Sequence, residues 1–328
     1  MFLETAISDL KKLSGKKIKI YLINNQQSEI SLKLKDFTLF LKEHLPDIKI
    51  KIKKEILPAY PAIKLTDEKE KIQIYYMAIP EGGEWLPFLK ALEAITTGKS
   101  FLNQKELERI KNIKKPIEIK VFITPICPFC PLVVEKANQL AIAHSSIKTF
   151  VIDSNFYSDL AKQYKVTASP TVVINKDYFL VGTEAREKLI DFLEKANQIM
   201  YDAEVLKSLL KQAQADRVIE LCQKDEKYLY NLLSLLKAPE LFTRIGVMRV
   251  LEELAEKREI KEKILPSIIA MLDTKEERDK GDILFLLGLI GNLEVVPIIQ
   301  KIAENASPLI KEIALEAIEQ IKERETLH

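Results

Sequence analysis

The sequence runs Val121-Phe-Ile-Thr-Pro-Ile-Cys-Pro-Phe-Cys-Pro-Leu-Val-Val134 at the point that decides its fold. The residues before Thr124 form an apolar, β-branched run that predicts a buried strand. The residues from Leu132 onward have helical spacing, so Cys127 and Cys130 fall where the strand gives way to a helix. The free N–H groups and the dipole at the start of a helix stabilise an anion, and thiolate is the reactive form of cysteine.

The spacing of the two cysteines suits disulfide exchange. Two intervening residues put Cys130 one helical turn from Cys127, so Cys130 can attack a mixed disulfide that Cys127 has formed. The pKa of Cys127 should lie below the value of about 8.5 for a free thiol. Pro128 and Pro131 suit a first helical turn, where a backbone N–H has no partner within the helix. The motif predicts a redox centre.

Two other interpretations of the cysteine pair stay open. A zinc site would need two more ligands at suitable spacing, and neither Cys222 nor the three histidines supply a second pair. The pair could also be two buried structural thiols. Three cysteines are too few for a disulfide scaffold, and two of them fall in one C-x-x-C motif. We therefore predict redox chemistry, with no metal and no cofactor beyond a Cys127–Cys130 disulfide.

Apolar periodicity divides the chain into segments. Residues 1–101 predict the order strand, helix, strand, strand, strand, helix, and a charged helical linker follows at 102–115. Residues 116–200 predict β-α-β-α-β-β-α, with helices on both faces of a mixed sheet. Residues 201–328 predict short amphipathic helices. Within them Thr243–Leu254, Asp279–Ile290 and Ile310–Ile321 align as an internal repeat, which indicates a small α-solenoid.

Composition and charge limit the partners. The net charge of +2 is uneven, since residues 1–115 hold 22 basic and 15 acidic side chains. The lysines are scattered and no aromatic-studded basic groove is present, so we predict no nucleic-acid partner. No apolar stretch approaches the roughly 20 residues that span a bilayer, and Met1–Leu13 is amphipathic and unlike a secretory signal. We therefore predict a cytoplasmic protein without a membrane partner. Lysine predominates over arginine, as in thermophilic and many lysine-rich mesophilic proteins.

The middle of the chain resembles the thioredoxin superfamily, and more narrowly the two-domain, glutaredoxin-like protein disulfide oxidoreductases. Tyr164–Ile174 is similar to the cis-proline region of that family. The resemblance implies a cis Ser169–Pro170 bond that lies against Cys127, with the flanking backbone docking a client strand. Where the family usually has tyrosine, this chain has Phe129. The docking residues that the resemblance implies are Pro128, Phe129, Ser169 and Pro170.

Residues 1–101 resemble the N-terminal domain of the same family, but without its cysteines. Ser28 and Ser31 stand at the expected cysteine positions, and Pro61 stands at the cis-proline position. A hydroxyl cannot form a disulfide, so this domain should be redox-inactive and serve as a scaffold or docking surface. The span from Ser28 to Pro61 is ten residues shorter than that from Cys127 to Pro170, so one helix should be missing or reduced. In thioredoxins a buried aspartate stands six residues before the first cysteine; here that residue is Val121, and Glu184 and Lys136 are our candidates for proton transfer.

These patterns together predict an α/β chain with two tandem thioredoxin-like folds, the first degenerate, followed by an all-α domain that resembles HEAT repeats. The resemblance implies a thiol–disulfide oxidoreductase that acts on protein clients and takes electrons from an upstream donor such as a thioredoxin-reductase-like enzyme. The HEAT-like region implies a protein partner, or else a cap that stabilises the fold. The alternative function is a non-enzymatic, redox-sensing adaptor.

Overall fold

The protein is described by a computed structural model that covers residues 2–13, 18–23 and 28–326. The chain divides into two compact units, Met1–Met200 and Tyr201–His328. The first unit is α/β, and the described residues of the second are helical without a strand. The predicted fold class is thus confirmed. No helix in the described ranges has both the length and the apolar character needed to cross a bilayer; the cytoplasmic location stays a prediction.

The first half of the α/β unit is a short version of the second half. Its elements are α1 (Phe2–Lys11), β1 (Lys19–Ile23), α2 (Glu29–His44), β2 (Lys49–Ile52), β3 (Ala62–Thr66), β4 (Gln73–Met77) and α3 (Trp85–Thr97). Residues 53–61, between β2 and β3, contain no helix, as the shortened span predicts. The alternating, β-branched pattern of residues 17–23 predicts a strand that begins at Lys17, and this residue lies outside the described ranges.

The second half has the predicted order β-α-β-α-β-β-α. A linker helix, α4 (Gln104–Ile110), precedes it, and its elements are β5 (Ile117–Ile123), α5 (Cys130–Ala143), β6 (Ile147–Asp153), α6 (Ser158–Gln163), β7 (Thr171–Ile174), β8 (Tyr178–Val181) and α7 (Glu184–Gln198). Nearly every residue of β5, β6 and β7 is buried. Such continuous apolar runs are typical of central strands covered by helices.

The two halves share one eight-stranded sheet, with the order β2-β1-β3-β4-β6-β5-β7-β8. The halves join where β4 pairs in parallel with β6, from Gln73 opposite Lys148 to Met77 opposite Ile152. At this junction the rings of Tyr75 and Phe150 stack with centroids 4.8 Å apart. We did not predict this pairing. Its consequence is that segments of the first half lie close to the cysteine pair of the second.

The second unit consists of α-helices joined by short connections. They are α8 (Ala203–Lys211), α9 (Ala215–Lys224), α10 (Glu226–Ser234), α11 (Leu241–Ala255), α12 (Arg258–Ala270), α13 (Glu277–Ile290), α14 (Val296–Glu304) and α15 (Pro308–Thr326). The three repeat blocks lie within α11, α13 and α15. Buried Arg244 of α11 donates to Asp282 of α13 at 2.6 Å and to the carbonyl oxygens of Ala238 and Pro239. The HEAT assignment stays a prediction.

Candidate active site

The cysteine pair lies in the turn between β5 and α5, and its two sulfurs form a disulfide with the Cα atoms 5.5 Å apart. The Cys127 N–H donates to the carbonyl oxygen of Thr124 at 3.1 Å, which fixes the turn at the end of β5. The helix begins at Cys130, and the Cys130 N–H donates to Cys127 Sγ at 3.1 Å. Cys127 therefore precedes the helix, and its sulfur accepts a hydrogen bond from the backbone N–H of the first helical residue.

The two sulfurs differ in access. Cys130 is 0% exposed, whereas Cys127 is half-buried. An approaching thiol or disulfide can therefore reach the sulfur of Cys127 and not that of Cys130. This asymmetry matches the predicted order, in which Cys127 attacks and Cys130 resolves.

A cavity of about 540 Å³ opens beside Cys127. Its lining brings the turn of the cysteine pair together with the end of β6 and the segment before β7: Thr124, Ile126, Cys127, Pro128, Phe129, Ser154, Val166, Thr167, Ala168 and Ser169. Pro170 follows this lining, and the Ser169–Pro170 bond is cis. Three of the four predicted docking residues thus line one cavity with the predicted nucleophile, and the fourth directly follows it.

Neither of our candidates for proton transfer is among the residues that line this cavity. Glu184 pairs with Lys188 at 3.0 Å on an exposed turn of α7. Lys136 pairs with Glu106 of the linker helix α4. Both side chains are engaged in ion pairs, so the structure gives no support to either candidate.

A buried carboxyl that we did not predict lies near the start of α5. Glu84 ends the turn Gly82–Glu84 before α3, and it is 5% exposed with one carboxylate oxygen lacking a hydrogen-bond partner in the described structure. This turn packs against α5: a Cβ atom added at Gly83 would lie 3.1 Å from Cγ of Pro131. Burial raises the pKa of Glu84 to about 7. An acidic residue just before a helix is usually an exposed charge that interacts with the helix dipole, so the sequence around Glu84 does not indicate that this side chain is buried.

The serine pair of the first half repeats the geometry of the cysteine pair. Ser28 caps α2, its Oγ accepts from the Ser31 N–H at 3.3 Å, and the two Oγ atoms are 3.0 Å apart. The Tyr60–Pro61 bond is cis. The Tyr157 hydroxyl of the second half donates to the Pro61 carbonyl at 2.5 Å. One backbone acceptor beside the cis bond of this half is therefore already occupied.

Other metal or thiol chemistry finds little support. Within the described ranges, no group of three or more histidine, cysteine or acidic side chains is arranged to hold a metal ion. Cys222 is buried in α9, and its burial raises the pKa of its thiol to about 12. A thiol that is both buried and protonated is inert.

Comparison with known proteins agrees with this fold. Residues 117–194 match the family described as thioredoxin domain. The fold and the cysteine pair thus define a redox protein of the thioredoxin class, in which the family model matches residues 117–194.

The relatives divide into longer enzymes and solved structures of shorter chains. The chain is 25% identical over 173 residues to an NADH dehydrogenase of Ferdinandcohnia aciditolerans, which covers 53% of this chain and 32% of that protein. It is 24% identical over 130 residues to an alkyl hydroperoxide reductase component of Pseudomonas aeruginosa, covering 40% and 25% respectively. The chain thus spans about a third or less of the length of these curated relatives.

Two solved structures share the fold of the α/β unit. One is the N-terminal domain of an alkyl hydroperoxide reductase component from Enterococcus faecalis, with a TM-score of 0.52 and 20% identity, covering 58% of this chain and 98% of that chain. The other is a protein disulfide oxidoreductase from Aeropyrum pernix, with a TM-score of 0.52 and 18% identity, covering 61% and 93%. At these identities the likeness concerns the fold.

Our prediction that no cofactor takes part beyond the disulfide is wrong. Relatives of this chain are named NADH dehydrogenase, so redox proteins of this kind include enzymes that use a nicotinamide dinucleotide. The prediction took account of the cysteine site alone, and a disulfide passes electrons on without being their source. Among the described connections, the turns from β5 to α5 and from β6 to α6 contain no glycine that would let a pyrophosphate approach closely, so they do not fit the dinucleotide itself. We therefore derive no step through NADH here.

Replacing Glu84 should change how stability depends on pH. The folded-state pKa of Glu84, about 7, lies above its ordinary value of 4.5. The contribution of this carboxyl to stability is therefore complete below pH 4.5 and is lost as the pH rises through about 7. Glu84→Gln should remove this loss and stabilise the protein above neutral pH by up to roughly 3 kcal/mol. Urea unfolding across this range measures the effect, and Glu81→Gln, on an exposed neighbour, is the control. An unchanged pH slope in Glu84→Gln would contradict the assignment.

Cysteines placed at the serine positions should form a disulfide that does not turn over. With Cys127→Ser removing the natural site, Ser28→Cys with Ser31→Cys should lose two titratable thiols on oxidation, because the side-chain atoms already lie within contact. Turnover of a protein disulfide should stay at the buffer rate, because Tyr157 occupies the Pro61 carbonyl. Thiol titration and an insulin reduction assay measure the two results; turnover above the buffer rate would show that this half can dock a client.

Proposed function

We propose that the chain is a thiol–disulfide oxidoreductase that exchanges dithiol and disulfide with protein clients through Cys127 and Cys130. The observation that carries this proposal is the unequal access of the two sulfurs beside an open cavity. A pair of structural thiols would have no need of an approachable sulfur. The matches to thioredoxin domains support the same chemistry.

The proposed exchange has two steps. In the reduced protein, the Cys127 thiolate attacks one sulfur of a client disulfide, a mixed disulfide forms, and the other client sulfur leaves as a thiolate that takes a proton from solvent. The Cys130 thiolate then attacks Cys127 Sγ, and the second client sulfur leaves. The client has gained two electrons and two protons, and the protein ends with the Cys127–Cys130 disulfide. The same steps in reverse oxidise a client dithiol.

Two features of the chain assist these steps. The Cys130 N–H contact at 3.1 Å favours a negative sulfur on Cys127. For Cys130, which solvent does not reach, we propose that Glu84 accepts the thiol proton, because the turn that carries this carboxyl packs against the start of α5. A group with a pKa of about 7 suits proton transfer near neutral pH.

The site suggests how a client binds, and the disulfide requires an electron donor. We propose that a client strand docks on the backbone around Ser169 and Pro170, with Pro128 and Phe129 at its side. Reducing equivalents would return to the disulfide from a separate redox enzyme of the thioredoxin-reductase type. The relatives named NADH dehydrogenase support NADH as the ultimate source of electrons for that donor.

Serine substitutions test the proposed roles. In an insulin reduction assay with dithiothreitol as donor, Cys127→Ser should reduce turnover to the buffer rate, because the attacking sulfur is gone. When the reduced variant meets the client without dithiothreitol, Cys130→Ser should accumulate a mixed disulfide, visible as a mass increase that added dithiothreitol reverses. Cys222→Ser is the control and should keep wild-type turnover, since this thiol is buried and protonated.

A wild-type rate equal to buffer would contradict the enzyme and favour a redox-sensing adaptor. The second unit offers that role a surface, because Leu241 and Phe242 at the start of α11 are exposed. Large exposed apolar residues are typical of protein interaction sites.

A further inference from the structure

The cavity beside Cys127 has no charged side chain among its ten lining residues. Charged residues make up 30% of the whole chain, so about three would be expected in a surface sample of this size. The lining instead consists of hydroxyl-bearing, aliphatic, aromatic and proline side chains together with Cys127. A charged client group that enters this cavity therefore loses its hydration and finds no side chain of opposite charge among the lining residues.

Large apolar side chains flank the same sulfur at the surface. Ile126 is 93% exposed and Phe129 is 50% exposed, and both line the cavity. They stand on either side of Cys127 in the sequence. In the free protein these apolar side chains are in contact with water, which is unfavourable. An apolar side chain of a docked client would cover them and bury this surface.

One polar group in this cavity also lacks a partner. The Ser154 hydroxyl oxygen is buried and has no hydrogen-bond partner in the described part of the chain. Its position is fixed, because the Ser154 N–H donates to the Ile123 carbonyl oxygen at 2.9 Å, where β5 and β6 end together. A peptide backbone contributes one donor and one acceptor per residue, so it can satisfy such a hydroxyl.

We propose that this surface selects client segments that are extended and uncharged and carry an apolar residue beside the cysteine. Ile126 and Phe129 contact that apolar residue, and the Ser154 hydroxyl pairs with the client backbone. A carboxylate or ammonium group beside the client cysteine would lose hydration without compensation in the uncharged cavity. This inference rests on the proposed function, since it names the class of client for the same site.

Matched peptide disulfides test the preference. Three disulfide-linked peptides would differ only in the residues beside the cysteine, which are leucine, glutamate or lysine, and their kcat/KM would be measured with dithiothreitol as donor. We expect the leucine peptide to be favoured over both charged peptides by about tenfold or more. The lysine peptide separates this effect from simple attraction or repulsion by the net charge of the protein.

Variants at the surface locate the preference. Ile126→Ser should remove most of the advantage of the leucine peptide, mainly through KM, because the contact that it removes is made with the apolar residue of that peptide. Ser154→Ala should lower kcat/KM for all three peptides alike, because the backbone is common to them. The matched control is Ile56→Ser, which alters an equally exposed isoleucine, 96% accessible, that is not part of the cavity.

The outcomes separate the inference from the function on which it rests. Equal rates for the three peptides, or an unchanged preference in Ile126→Ser, would overturn the inference while leaving the oxidoreductase intact. No reduction of any peptide, in a protein whose Cys127–Cys130 disulfide is itself reduced by dithiothreitol, would overturn the proposed function.

Discussion

The hydrogen bond from the Cys130 N–H to Cys127 Sγ is the contact on which the site depends. It exists because β5 ends at Ile123 and α5 begins at Cys130, so the first free N–H of the helix faces the sulfur that precedes it. The same placement buries one sulfur and leaves the other approachable. In the exchange that we propose, the order of attack would therefore follow from where the helix begins.

The first half shows that this backbone geometry is insufficient for redox chemistry. Ser28 and Ser31 reproduce the same contact with oxygen, and the Tyr157 hydroxyl covers the docking carbonyl of Pro61. Because β4 pairs with β6, the two halves share a sheet, and each contributes to the other's site. The second half provides Tyr157 and the first provides Glu84. The degenerate half is therefore part of the proposed redox site as well as a scaffold.

Local patterns predicted most of the fold and the central part of the site. The strand before Cys127, the serines at 28 and 31 and the missing helix between β2 and β3 all follow from spacing along the chain. The pairing of β4 with β6 does not, since periodicity identifies a buried strand without naming its neighbour. Glu84 was missed for the same reason, because only the tertiary packing of its turn against α5 buries it.

Glu84 connects the stability of the fold with its chemistry. A buried carboxyl with an unpaired oxygen and a pKa raised to about 7 destabilises the folded state at neutral pH. An uncharged side chain of similar size would avoid this cost, so the position is hard to explain by packing alone. Strongly shifted groups of this kind are concentrated at functional sites, where a proton must be exchanged near the working pH. In the exchange that we propose, Cys130, which is sealed from solvent, has to lose a proton to resolve a mixed disulfide, and we propose that Glu84, on the turn that packs against its helix, accepts that proton.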